Sequence, residues 1–226
     1  MIAKFQSLPY FKYLVRVFPF AAFAALTLLQ GRFGDMGAYW IYSIKTIIGA
    51  LLIWLVWPYV KEMRWNFSWE AVAAGVAVFL LWVGLDDLYP NMGFFFGERS
   101  AAFNPLNSYG DGSAIAWMFI AMRILGSSLV VPMLEEVFYR SFLYRYLIKS
   151  DFFSVPLKSF DIIAFLVVGV AFGLSHYEWL PGILCAFVYQ GLVIRKGRLG
   201  DAITAHAITN CLLGLWVVFR SAYVFW

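Results

Sequence analysis

Long apolar runs punctuated by short polar clusters recur along the chain, at lengths that suit membrane helices of roughly 20 residues. They predict seven spans, at about 14–30, 38–57, 69–85, 114–134, 160–177, 180–194 and 201–220. Pro19 falls inside the first, which a membrane helix tolerates when neighbours satisfy the freed backbone. Trp54, Trp57 and Tyr59 close the second as an interfacial aromatic belt. The third ends at Asp86 and Asp87. A long connection follows over 86–113, rich in glycine, asparagine and aromatics, a kind of loop that is often functional. Within it, Phe94 to Phe96 are placed to dip into lipid. Pro132 predicts a loosened helix near the end of the fourth span. Helical character resumes through Lys149, so 114–149 reads as one broken helix or two. Glu178-Trp179-Leu180-Pro181 alone joins the fifth and sixth runs. No internal repeat is visible, which withholds support from an inverted-repeat transporter.

Composition agrees. Of 226 residues, 63% are hydrophobic and 13% charged, against about a quarter charged in soluble domains. The pattern predicts an all-α fold, a polytopic transmembrane bundle of about seven to eight helices. It forms a single integral membrane domain over 1–226, with N-terminal spans and loop in 1–113 and a motif-bearing core in 114–226. The net charge of +4 reflects loop lysines and arginines rather than nucleic-acid binding. Lys4, Lys12, Lys61, Arg64, Arg145, Lys149, Lys158, Arg195, Lys196 and Arg198 fall on alternate connections. The positive-inside rule then puts the N-terminus in the cytoplasm. Cys185 and Cys211 sit in apolar stretches, far from any CxxC spacing, and read as small buried hydrophobes.

Ionisable residues inside such runs are costly and mark functional sites by default. Met133 to Arg145 reads MLEEVFYRSFLYR. On a helix, Glu136 precedes Arg140 by one turn, the favourable order for an ion pair, while Glu135 lies about 100° away and needs another partner. The two histidines of the chain, His176 and His206, also lie in or beside apolar segments. Phe172 is one turn from His176 and can pack on its ring; Asn210 shares a face with His206. A desolvated glutamate can take a proton from water. An imidazole can orient that water or donate to a leaving amine, and an asparagine amide can donate to an oxyanion. Ser175 neighbours His176, but adjacent side chains on a helix do not face each other, which discounts a Ser–His pair.

Glu135-Glu136-x-x-x-Arg140, Phe172-x-x-x-His176 and His206-x-x-x-Asn210, in this order, resemble the three motifs of the CAAX protease and bacteriocin-processing family. That family is also called the Abi family or the type II CAAX prenyl endopeptidases. The resemblance covers about 130–212; the first three spans match no family. It implies an intramembrane endopeptidase with a polar cavity inside a helical bundle. By position, Glu135 resembles the base that activates water and His176 its partner in holding that water, while His206 and Asn210 resemble the oxyanion-side pair. Glu136 and Arg140 would support them, through their ion pair or by contacting a substrate carboxylate. Family members often carry glycine after the motif arginine; here it is Ser141, a difference expected to bear on helix packing more than on chemistry. The implied partners are a membrane-associated peptide or protein, lipidated or C-terminal, and the bilayer. Compact size and loop charges resemble bacterial members of an inner membrane.

The implied mechanism needs no cofactor. The alternative is zinc held by Glu135, His176 and His206, although no HExxH spacing supports it. Outside the enzyme class stand a non-catalytic scaffold or immunity factor that binds a peptide, and a proton-coupled transporter using Glu, His and Arg as a relay. Lys45 and Arg123 favour the transporter, unless they pair or snorkel to the interface. One geometric conflict accompanies the motifs. His176 should lie about 25 Å along its span and His206 near the opposite end of its own. They converge only if a helix is broken, re-entrant or shifted in depth.

Overall fold

The computed structural model describes residues 10–30, 32–86, 88–97 and 103–226. Lys4, Asp87 and part of the 86–113 connection lie outside the described residues, as do the side chains of Asp35 and Phe96. Among the described residues the chain forms nine helices and no strand. Seven are long: α1 (Phe11–Gln30), α2 (Gly34–Val56), α3 (Trp69–Gly84), α6 (Ala114–Ile148), α7 (Ile162–Leu174), α8 (Trp179–Lys196) and α9 (Gly200–Arg220). The two beyond expectation, α4 (Met92–Phe96) and α5 (Pro105–Tyr109), are single turns inside the 86–113 connection. Asn91 and Asn104 cap them by accepting backbone N–H groups. α1, α2, α6 and α9 are long and apolar enough to cross a membrane, and α3 and α7 are shorter apolar helices. Large apolar side chains such as Trp54, Trp69, Ile163 and Phe219 face outward. The chain is an all-α integral membrane protein.

Residues 114–148 form one continuous helix, neither broken nor split. Two wide turns interrupt its regular hydrogen bonding. At Gly126–Val130 the Val131 N–H bonds to the Gly126 carbonyl, five residues back. At Val137–Leu143 the Tyr144 N–H reaches Tyr139 in the same way. Such π-turns absorb an irregular residue without ending a helix. Continued in the first wide register, the Ser127 carbonyl would need an N–H from residue 132, and proline has none. Asn210 Nδ2 donates to that carbonyl at 2.8 Å. Pro132 thus leaves α6 intact and creates an acceptor that ties it to α9.

Close helix crossings set the depths. Gly169 and Gly173 form a small-xxx-small face on α7 that meets α8. A Cβ on Gly173 would stand 2.7 Å from the Trp179 carbonyl, and one on Gly75 of α3 would stand 2.6 Å from Ala205 of α9. With 13 residues, α7 is about 20 Å long, short of a hydrocarbon core of about 30 Å. Its start is pinned where the Asp161 N–H donates to Tyr144 of α6 at 2.9 Å. The start of α9 is equally recessed. Residues 199–207 are all buried, covered by the 60–68 segment. Thr204 Oγ1 donates to the Asn66 carbonyl at 2.9 Å, and Ser68 donates to Asp201 while capping α3. A shortened α7 and a recessed α9 remove the conflict in depth between the two histidines.

Charged residues gather at one end of the bundle around Glu62. Its Oε1 accepts from Arg16 Nη2 at 2.7 Å and Arg145 Nη2 at 3.3 Å, and from Ser141. Ser141 is fully buried, so it acts here as a hydrogen-bonding member of an ionic network, not as a packing element alone. Burial opposes ionisation of Glu62, but Arg16 and the Ser141 hydroxyl outweigh it and hold the carboxyl below its usual value. A depressed folded value means that the ionised group stabilises the fold above a pH of about 4.5. That contribution is lost as the pH falls through the folded value. Glu62→Gln should therefore cost about 3 kcal/mol at pH 7, since it strands two buried guanidinium groups. The penalty should shrink towards pH 3, as read by unfolding in detergent at both pH values; an equal penalty at both would contradict the assignment.

Candidate active site

Three helices bring the motif residues together. The middle of α6 supplies Glu135, Glu136 and Arg140. The end of α7 supplies Phe172 and the turn bearing Ser175 and His176, and α9 supplies His206 and Asn210. Glu135, Phe172, His176, His206 and Asn210 line one cavity of about 730 Å³. Glu136 and Arg140 do not line it and are fully buried behind it. Contact of Arg140 with a substrate carboxylate is thereby set aside.

Arg140 Nε lies 3.2 Å from Glu136 Oε2, the ion pair expected from their spacing. Its guanidinium stacks over Phe172, with Cζ 4.3 Å from the ring centre. Among the described residues the terminal nitrogens make no hydrogen bond, so the ring face and the carboxylate are what offset this buried charge. Glu136 Oε1 lies 2.9 Å from His206 Nδ1. An ionised carboxylate only accepts, which places a proton on Nδ1 and turns Nε2 toward the cavity. There Nε2 lies 3.9 Å from Glu135 Oε2, an atom with no hydrogen-bond partner among the described residues. His206 is held flat by Tyr189, whose ring stacks at 5.2 Å. The Tyr189 hydroxyl donates to Thr209, which in turn donates to the Gly75 carbonyl.

His176 lies beyond the last residue of α7, not on the helix. Its Nδ1 is 2.8 Å from the Phe172 carbonyl. A carbonyl cannot donate, so Nδ1 carries the proton and Nε2 is left as an acceptor. Its ring packs on Phe172 at 4.6 Å and edge-on to Trp82 at 5.6 Å. Phe172 also meets the His206 ring, at 6.1 Å, and so bridges the two histidines. Because the helix has ended, Ser175 Oγ does reach His176 Nδ1, at 3.2 Å, against the expectation for neighbours on a helix. Its hydroxyl nevertheless donates to the Phe172 carbonyl at 2.7 Å, and the protonated Nδ1 cannot serve it as a base.

Trp82, Tyr189 and Thr209 shape the site without belonging to any of the three motifs, and no local pattern marks them. The cavity also reaches Lys45 and Arg123. Neither snorkels: Lys45 lies over the rings of Phe23 and Tyr42, and Arg123 over those of Tyr42 and Phe103. Cys185 is buried and Cys211 partly so, and both are free thiols. Among the described residues no group of three or more His, Cys, Asp or Glu side chains is arranged to hold a metal ion.

No curated protein matches the chain, and no solved structure does. A family model does match, that of the type II CAAX prenyl endopeptidase Rce1-like proteins, over residues 116–212. The matched segment runs from the first turn of α6 to the middle of α9 and contains every motif residue named above. Over residues 116–212, then, the chain is similar to the Rce1-like type II CAAX prenyl endopeptidases, a protease family.

Proposed function

We propose that the protein is an intramembrane endopeptidase that hydrolyses a peptide bond of a membrane-associated substrate with water activated by Glu135. One observation carries the reading: Glu135, whose Oε2 has no hydrogen-bond partner among the described residues, shares a cavity with two oriented imidazoles and an amide. The 3.9 Å between Glu135 Oε2 and His206 Nε2 suits a bridging water better than a direct contact. Glu135 takes a proton from that water, and His176 Nε2 accepts its other hydrogen. The hydroxide attacks the scissile carbonyl carbon. Asn210 donates to the oxyanion, and His206, whose Nδ1–H is held by Glu136, lines the same side. One Asn210 N–H is committed to Ser127, which fixes the direction of the other. Collapse of the tetrahedral centre breaks the C–N bond, and the proton on Glu135 passes to the leaving amine.

In this reading Glu136 and Arg140 are positioning residues. The apolar walls at Phe20, Phe23 and Leu213 fit a lipidated or otherwise apolar substrate segment. The protein would reside in a bacterial inner membrane, its Lys12 and Glu62 end facing the cytoplasm, and would work without a metal. The test is cleavage of membrane-anchored reporter peptides by detergent-purified protein, followed by mass spectrometry with and without a strong chelator. Cleavage that persists in chelator is the expected result. Its loss in chelator, with recovery on adding zinc, would replace glutamate-activated water by a metal centre.

A further inference from the structure

Lys45 stands in the middle of α2 and is 4% exposed, yet no carboxylate meets it among the described residues. Buried ammonium groups are ordinarily paired with an anion. Among the described residues Lys45 has a single hydrogen bond, donated to Thr27 Oγ1 at 2.9 Å, out of the three its ammonium can make. Ring faces supply the rest: Phe23 at 4.9 Å and Tyr42 at 4.7 Å. A second cation approaches that same Tyr42 ring, with Arg123 Cζ 4.6 Å from its centre. Arg123 and Lys45 repel one another, so the second cation does not neutralise the first. Both line the cavity that holds Glu135. A buried lysine that no carboxylate meets among the described residues, opening on a low-dielectric cavity, attracts an anion there.

We propose that Lys45, with Arg123 beside it, forms an anion-recognition subsite that takes a carboxylate or phosphate carried by the apolar substrate. This deepens the peptidase reading and rests on it. Spacing bounds the substrate. Arg123 precedes Glu135 by twelve residues on α6, or about 18 Å, which an extended peptide covers in about five residues. The anion sits on the side of the cavity that leads to Gln30, Tyr39 and Trp226, away from the Glu62 end. A C-terminal carboxylate or an acidic side chain up to about five residues from the scissile bond satisfies this geometry, and so does a lipid phosphate. The subsite gives a role to a lysine in the N-terminal half, outside the matched 116–212 segment.

Binding to the Glu135→Ala protein tests this, because its probes are not turned over. The probes are an acetylated apolar pentapeptide as free acid and as C-terminal amide, with dodecyl phosphate set against uncharged dodecyl maltoside. The acid should bind about tenfold more tightly than the amide, as a charge-assisted contact implies. Lys45→Met should abolish that preference while leaving amide affinity unchanged, and Lys45→Arg should retain it. A Lys45-dependent advantage for dodecyl phosphate, absent for the peptide acid, would keep the subsite and assign a lipid phosphate to it. No advantage for either anion, or an advantage that survives Lys45→Met, would overturn it. The failure of the peptidase reading would look different: wild-type hydrolysis that does not depend on Glu135.

Discussion

Glu135→Gln should lower peptide hydrolysis by about a thousandfold, the scale of a lost general base, with no fall in thermal stability. Stability is spared because Glu135 Oε2 makes no hydrogen bond and the side chain borders the cavity at 16% exposure. Glutamine keeps the shape and removes only the proton acceptor. The two readouts separate chemistry from folding: kcat on a cleaved reporter, and the unfolding midpoint of the same preparation. Residual activity within about tenfold of wild type would remove Glu135 from proton transfer. A large drop in the midpoint would instead mark it as a structural carboxylate.

The second large effect belongs to the pair behind the site. Glu136 and Arg140 are each fully buried, and removing one partner leaves an uncompensated charge among apolar side chains. Arg140→Met alone should cost about 3–5 kcal/mol, the usual penalty for breaking a buried pair from one side. Glu136→Leu alone should cost a similar amount and also leave the His206 Nδ1–H unpaired. Made together, the substitutions discard both charges, and most of the lost stability should return. Activity should not return, because His206 then lacks the carboxylate that sets its tautomer and aims Nε2 at Glu135. Unfolding in lipid nanodiscs, beside turnover of the same four proteins, reads both halves of the cycle. Additive losses in the double variant would mean that the two residues stabilise the fold independently.

The same pair shows what kind of relation a sequence carries. Glu136 and Arg140 are four residues apart, and helical geometry alone makes them neighbours. Phe172 and His176 also meet across four residues, although α7 ends at Leu174 and His176 sits in the turn beyond it. The membrane class follows directly from apolar run length and scarce charge. Relations that leave the helix behave differently. Ser175 meets His176 because α7 stops at Leu174, a boundary that hydropathy over 160–177 does not mark. The use of Asn210 to satisfy Ser127 depends on the wide turn before Pro132.

By itself, then, the sequence determined a helical membrane protein of about seven to eight helices, the motif residues, and the neighbour pairs Glu136 with Arg140 and Phe172 with His176. Only the tertiary structure decided which glutamate His206 meets, how two histidines on differently placed segments share Phe172, and that Lys45 faces the same cavity as Glu135. The physical reason is depth. Spacing along a helix is fixed at 1.5 Å per residue, but the level at which one helix crosses another is not. Here close backbone approach at Gly75 and Gly173, and a covered start for α9, set that level. Those contacts join segments up to 138 residues apart, beyond the reach of any local periodicity.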